Sequence, residues 1–244
     1  MKIIVAKNYE EISRKAAELV ARHITAKPDT VMGLATGSTP LLMYKNIIKI
    51  HKGQGLSFSK VISFNLDEYI GISESNENSY HYYMWENFFK HMDILKKNIH
   101  MPDGNAKDIE EECRNYECKI EGSGGIDLQI LGIGKNGHIG FNEPELYFEA
   151  TTHKVKLDED TISANSRFFN SIDDVPRYAI SMGIKTIMKA KKILLLASGD
   201  EKAEATYSAL KGKITPDVPA SILQLHQDVI VLVDEAANKI LGAE

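Results

Sequence analysis

The chain has 244 residues, is 43% hydrophobic and 26% charged, and carries a formal net charge of −5. This is an ordinary globular composition. With no block of like charges it carries no footprint for nucleic acid or an anionic membrane, and no stretch is long and apolar enough to span a bilayer. The two cysteines, Cys113 and Cys118, fall five apart on a predicted helix and so on different faces, which argues against a disulfide or a metal pair and for a reducing, cytoplasmic setting.

Residues 2–6 read as a first strand, and the start of the chain turns charged after too few apolar residues for a signal-peptide core. Residues 10–26 place Ile12, Ala16, Leu19, Val20 and Ile24 at helical spacing. A second strand over 30–35 runs into Thr36-Gly37-Ser38-Thr39-Pro40. Pro40 suits the first turn of a helix, with Thr39 as its cap. That helix runs to about residue 52 and ends at Gly53-Gln54-Gly55. A third strand over 61–65 is followed by the adjacent acids Asp67 and Glu68.

Residues 78–91 form an aromatic-rich helix with Tyr80, Tyr82, Tyr83, Trp85, Phe88 and Phe89. No basic residues interleave with these rings, so they read as core and not as a platform for bases. A charged helix over 108–121 precedes an apolar strand over 126–132. That strand empties into residues 131–144, LGIGKNGHIGFNEP. Short strands at 154–157 and 178–181 flank a helix at 159–168. A buried strand over 192–197 leads through Ser198-Gly199-Asp200-Glu201-Lys202 into another helix, and a last strand over 228–233 is followed by a short closing helix.

Strands alternate with helices throughout, and the apolar strands look buried on both faces. This predicts an α/β fold: a mostly parallel sheet with helices on both faces, a Rossmann-like three-layer sandwich. No proline- or serine-rich linker divides it, so residues 1–244 read as one domain, with 144–169 as a lid-like insertion.

Four unusual loops each begin just after a predicted strand, at 36–40, 67–71, 132–143 and 198–202. In open parallel sheets ligands bind beyond the carboxyl ends of the strands, so these loops can converge on one site. Gly37, Ser38 and Thr39 look like an anion cradle, with a glycine for close approach, two hydroxyls and the positive end of a helix. A plain helix start is the blander reading, and the spacing of a P-loop is absent. Lys202 and Arg167 are candidates to meet a phosphate with full charge, though either alone reads equally as a surface cation.

Asp67 and Glu68 should point opposite ways in extended chain, leaving one to face the site as a general base. A helix cap or turn is the alternative. His138 suits a proton carrier, with Glu143 five residues on to orient it, against the plainer reading of a glycine-rich turn with a surface histidine. HExxH spacing and a serine elbow are both absent, so neither zinc-hydrolase nor serine-nucleophile chemistry is indicated. No metal and no cofactor is called for. The residues alone point to an α/β enzyme that binds a phosphorylated small molecule and transfers protons.

At these same residues the chain resembles the glucosamine-6-phosphate deaminase (isomerase) family. The resemblance runs in order through GLATGSTP (33–40), SFNLDEYIG (63–71), GIGKNGHIGFNEP (132–144), ANSRFF (164–169) and VPASILQLH (218–226). It covers nearly the whole chain. GHIGFNEP with NLDEY separates this family from the 6-phosphogluconolactonases, which share the fold and the glycine loops. The resemblance implies that glucosamine 6-phosphate and water give fructose 6-phosphate and ammonia. It implies that His138 opens the sugar ring and that Asp67 moves the C2 proton, with Glu143 and residue 136 completing the ring-opening group. Phosphate would sit on Gly37, Ser38, Thr39, Arg167 and Lys202.

Position 136 is Asn where many members carry Asp, and the Asn136 side chain is expected to approach His138. The segment ELYFEATTH (145–153) departs from the family's more usual small-residue, arginine-containing stretch, and the chain stops shortly after its last strand. Both lead to the expectation of a monomer or small homo-oligomer without regulation by N-acetylglucosamine 6-phosphate. The alternatives are a sugar-phosphate lactonase on the same fold, and a non-catalytic sugar-phosphate sensor, for which no helix-turn-helix unit is seen.

Overall fold

Strand β1 (Lys2–Ala6) leads into α1 (Tyr9–Ala26), where the Asn8 side chain accepts the Glu11 backbone N–H and so caps the helix. Then follow β2 (Val31–Leu34), α2 (Ser38–Gln54), β3 (Ile62–Asn65), β4 (Asp67–Tyr69), α3 (Tyr80–Asn87), β5 (Ile99–His100) and α4 (Ile109–Gly122). The second half runs β6 (Leu128–Gly132), β7 (His153–Lys156), α5 (Glu159–Asn165), β8 (Tyr178–Ser181), α6 (Ile184–Met188), β9 (Lys192–Ala197), α7 (Ala203–Lys211) and β10 (Val229–Asp234). This is a computed structural model and describes residues 1–243; Glu244, the last residue of the domain read from the sequence, lies outside the described residues.

Seven strands form a parallel sheet in the order β1-β10-β9-β6-β2-β3-β5. Alternate residues of each inner strand face opposite layers, and both layers are apolar. On one side Leu194 and Leu196 of β9 pack with Ile12, Ala16 and Val20 of α1, Met43, Tyr44 and Ile47 of α2, and Met84 of α3. On the other, Ile193 and Leu195 pack with Tyr116 and Ile120 of α4, Ile187 of α6, and Ala205 and Ala209 of α7. Helices therefore cover both faces, as a continuous apolar strand such as 192–197 requires.

The topology reverses at the centre of the sheet. From β2 the chain moves outward through β3 to β5, then returns to the other flank of β2 at β6 and continues through β9 to β10. The loops leaving β2 and β6 thus diverge from neighbouring strands and leave a crevice at the carboxyl edge. At the opposite edge, buried Asp127 ties three strands together. It accepts from the backbone N–H of Val31 at 2.9 Å, from Lys191 at 2.7 Å and from Lys27. Burial alone would raise its carboxyl, but the bonds from Lys191, Lys27 and Val31 outweigh this and hold it down at about 2.

Three features differ from expectation. Strands 154–157 and 178–181 do not join the parallel sheet. β7 and β8 pair antiparallel with each other, and β8 pairs with β4 in a separate sheet of order β4-β8-β7. An antiparallel sheet can leave one face in water, and the alternating burial of β7 fits that. The aromatic helix is shorter than 78–91: α3 ends at Asn87, and a single tight turn at Phe89–His91 follows. Phe88 and Phe89 are core, but Trp85 is 40% exposed, so the rings do not form one buried stripe. The closing helix is one turn, Leu241–Ala243.

Candidate active site

The loops leaving β2, β3, β6 and β9 open into one cavity of about 970 Å³ at the carboxyl edge of the sheet. Gly37, Ser38, Thr39, Asp67, Asn136, His138, Arg167 and Lys202 all line it. Glu143, the ninth residue singled out from the sequence, stands behind His138 and is bonded to it.

The start of α2 lines the cavity. Its cap is Gly37, not the expected Thr39, and no side chain caps the helix. Gly37 has φ of 107°, a conformation that a side chain rarely adopts, and the helix starts at Ser38, two residues earlier than Pro40 suggested. The first-turn amides of a helix have no partners within it, so those at Ser38 and Thr39 are available to an anion. Two phenols fix the other side of this loop. The Tyr83 hydroxyl donates to the Gly37 carbonyl at 2.7 Å, and the Tyr9 hydroxyl donates to the Ser38 carbonyl at 2.6 Å while accepting the Leu42 N–H at 3.1 Å.

Lys202 sits in the turn Asp200–Lys202 ahead of α7, and Arg167 in the turn Ser166–Phe168 after α5. Burial lowers the Lys202 ammonium below its ordinary value; Glu201 opposes this, while Lys135 and Arg167 add to it. A dianion bound here would relieve that repulsion. Lys135, which also lines the cavity, was not singled out in the sequence.

The glycine loop after β6 also lines the cavity. The Gly134 N–H donates to the His138 carbonyl at 2.9 Å and the Gly137 N–H to the Gly134 carbonyl at 3.1 Å, closing a tight turn. A Cβ on Gly134 would stand 2.4 Å from the His138 ring, so that position holds the imidazole against bare backbone. His138 Nδ1 lies 3.1 Å from Glu143 Oε2. A carboxylate can only accept, so Nδ1 carries the proton and Nε2 is left as the acceptor.

Glu143 is held on every side. Asn136 Nδ2 donates to Oε2 at 2.9 Å and the Thr161 hydroxyl to Oε1 at 2.6 Å. Burial pushes its carboxyl up, but the bonds from His138, Thr161 and Asn136 outweigh it and keep the group below its ordinary value. Asn136 reaches His138 through the backbone: its Oδ1 accepts the His138 N–H at 3.2 Å while its amide serves Glu143, not the imidazole ring.

Asp67 and Glu68 do point opposite ways. Asp67 faces the cavity, while Glu68 turns to the start of α3 and accepts the N–H groups of Tyr80 and His81. Asp67 is buried, and burial, reinforced by the Glu68 charge, raises its carboxyl to about 8. Tyr69, Tyr80 and Phe141 build an aromatic wall beside it, with the Tyr69 and Tyr80 rings 4.8 Å apart and Tyr80 stacked on Phe141 at 5.9 Å. The arrangement offers two proton-transfer groups and an anion-binding helix start in one cavity.

Thr161, Tyr9 and Tyr83 belong to this architecture but gave no sequence signal. Their contacts span 18, 29 and 46 positions respectively, and nothing local marks them. Among the described residues no group of three or more His, Cys, Asp or Glu side chains could hold a metal ion, and no helix is long and apolar enough to cross a membrane.

The chain is similar to known proteins over nearly its whole length. The profile of the family described as glucosamine-6-phosphate isomerases/6-phosphogluconolactonase matches residues 6–232. A glucosamine-6-phosphate deaminase of Clostridium acetobutylicum is 59% identical over 241 residues, covering 99% of this chain and 100% of that one. One from Thermoanaerobacter sp. strain X514 is 58% identical over 244 residues, 100% of this chain and 96% of that one. A solved structure of a monomeric glucosamine-6-phosphate deaminase superposes with a TM-score of 0.96 at 50% identity, covering 98% of this chain and 100% of that one. The 6-phosphogluconolactonase of Trypanosoma brucei superposes at 0.75 with 19% identity, covering 98% of each chain, a likeness of fold alone. With its profile matched over residues 6–232 and its fold shared end to end, the chain belongs to the glucosamine-6-phosphate isomerase/6-phosphogluconolactonase family.

Proposed function

We propose that the chain converts glucosamine 6-phosphate and water to fructose 6-phosphate and ammonia. The observation that carries this reading is the pairing, in one cavity, of Asp67 with a separate His138–Glu143 unit and the open start of α2. Ring opening and carbon-proton transfer act at different atoms, and a single group could not be well positioned for both. The full-length relatives named as deaminases, at 58–59% identity, support the same reading.

In this mechanism the phosphate rests on the amides of Ser38 and Thr39, with Gly37 allowing close approach and Lys202 and Arg167 supplying charge. His138 Nε2 accepts the ring hydroxyl proton and returns it to the ring oxygen. Glu143 stabilises the imidazolium that forms in between, and Asn136 and Thr161 keep Glu143 in place. Asp67, ionised, then takes the C2 proton of the open chain and delivers it to C1. The amino-aldose becomes a 2-imine with C1 reduced to the alcohol level, and water then adds at C2 and expels ammonia, leaving the carbonyl of the ketose. Segment 144–169 is read as a lid, since α5 within it brings Thr161 onto Glu143.

No metal or cofactor enters these steps. We infer further a cytoplasmic monomer or small homo-oligomer, not regulated by N-acetylglucosamine 6-phosphate; the monomeric state of the neighbour at 50% identity supports this. A coupled assay following fructose 6-phosphate and ammonia together from glucosamine 6-phosphate tests the activity. Lactone hydrolysis without ammonia release would replace it with the lactonase reading.

A further inference from the structure

Glu68 is 2% exposed and takes four donors. Oε1 accepts the backbone N–H groups of Tyr69 at 2.8 Å and Tyr80 at 3.0 Å, and Oε2 accepts the His81 N–H at 2.9 Å and His81 Nδ1–H at 2.7 Å. A helix cap needs only the backbone bonds, so the imidazole is an addition. Its other nitrogen lies 3.7 Å from Glu74 Oε1, and Asp103 adds a third negative charge nearby. Burial disfavours protonation of His81, but Glu68, Glu74 and Asp103 outweigh it and raise its affinity for a proton.

The groups around Asp67 leave one charge in control. From α2, β4, α3 and α4 respectively, the phenols of Tyr44, Tyr69, Tyr80 and Tyr116 feel the Asp67 charge, and burial keeps all four neutral. Among the described residues, the charge that acts on Asp67 itself is that of Glu68.

We propose that Glu68 and His81 are a positioning pair behind the base: Glu68 fixes the start of α3, and with it Tyr80, beside Asp67, while the His81 imidazolium shields Asp67 from the Glu68 charge. This rests on the reading of Asp67 as the group that moves the carbon-bound proton. Without the imidazolium the full Glu68 charge would bear on Asp67 and hold its proton to higher pH. Without the Glu68 charge the proton would leave at lower pH.

The test is the pH dependence of kcat/KM for glucosamine 6-phosphate, whose acidic limb reports the essential base of the free enzyme. Glu68→Gln should move that limb to lower pH by about one unit, the scale of a close charge. His81→Gln, which keeps a donor for Glu68 but loses the charge, should move it to higher pH, and His81→Arg, which keeps a charge, should hold it near the wild-type position. Should Glu68→Gln fail to fold, the two His81 variants carry the test. A merely structural role lowers kcat without moving the limb, or moves it the same way in the Gln variants, and either result overturns the pair. Full turnover by Asp67→Asn sinks the reading of Asp67 itself. Loss of turnover in that variant, with unmoved limbs in the others, sinks the pair alone.

Discussion

The Asp67→Asn substitution should make the protein both inactive and more stable. The Asp67 carboxyl ionises at about 8 in the fold, against 3.8 for an unperturbed side chain, because it is buried and faces Glu68. Below 3.8 the folded and unfolded chains both carry a neutral group, and the site costs nothing. Between 3.8 and about 8 the folded chain holds a proton that the unfolded chain has released. Stability therefore falls there by about 1.4 kcal/mol for each pH unit. Above about 8 both states are ionised and the penalty levels off.

By pH 7 the accumulated cost is about 4 kcal/mol, which a neutral amide of the same shape does not incur. Setting aside a kcal/mol or two for fitting an amide among groups arranged for a carboxyl, Asp67→Asn should gain about 2–3 kcal/mol at pH 7 and more at pH 8.5, and should lose about a kcal/mol near pH 4, where only the fitting cost remains. Urea denaturation of both proteins at several pH values measures this. A difference that does not grow with pH would refute the buried, proton-holding Asp67. Turnover should fall by about 10²–10⁴-fold, and kcat/KM of the wild type should rise with pH as Asp67 ionises, up to about pH 8.

Lys202→Ala should raise KM for glucosamine 6-phosphate at least tenfold while moving kcat less, and unphosphorylated glucosamine should be a very poor substrate, because a charge-assisted contact to phosphate is lost. Steady-state kinetics on both sugars checks this, and equal turnover of the two would contradict the cradle at 36–40. Gly134→Ala should fold but lose at least tenfold in kcat, because its new methyl would stand 2.4 Å from the His138 ring and push it aside. Circular dichroism with single-turnover kinetics separates the two effects. Asn136→Asp would set a second carboxylate within hydrogen-bonding distance of Glu143. The added negative charge favours an imidazolium at His138, so the His138 ring, followed by NMR, should hold its proton to higher pH in the variant than in the wild type; an unchanged or lowered transition would mean that residue 136 does not tune the ring-opening group.

Local pattern carried the parallel sheet. Lys192–Ala197 is a continuous apolar run and forms β9 with those bounds. The loops after β2, β3, β6 and β9 were legible because glycine, hydroxyl and charge cluster where apolar runs stop. Of the small sheet, the strands at 154–157 and 178–181 were legible but their separate pairing was not. Asp67-Glu68-Tyr69 reads as extended chain or as a turn, and only its pairing with Ser181, Ile180 and Ala179, far along the chain, makes it a strand. The opposed directions of Asp67 and Glu68 were nevertheless predictable, since extended chain alternates its side chains whatever it pairs with. The aromatic helix misled for a related reason: ring content says that area will be buried, not whether core or cavity takes it, and Tyr80 and Tyr83 went to the cavity. The contacts of Tyr9 and Thr161 depend on tertiary distance alone.

The hydroxyl of Thr161, reaching Glu143 from 18 residues downstream, bears on how this scaffold can be re-engineered. Segment 144–169 looks like a detachable cover, the natural place to graft a foreign loop when a different sugar is wanted. Yet it supplies one of the three side chains that hold Glu143, so the cover and the proton relay are not separate modules. A transplanted loop that fits the rim of the cavity but lacks a donor at position 161 would leave a buried carboxylate oxygen without its partner. The graft would then show up as a defect in ring opening, and not as a change of specificity.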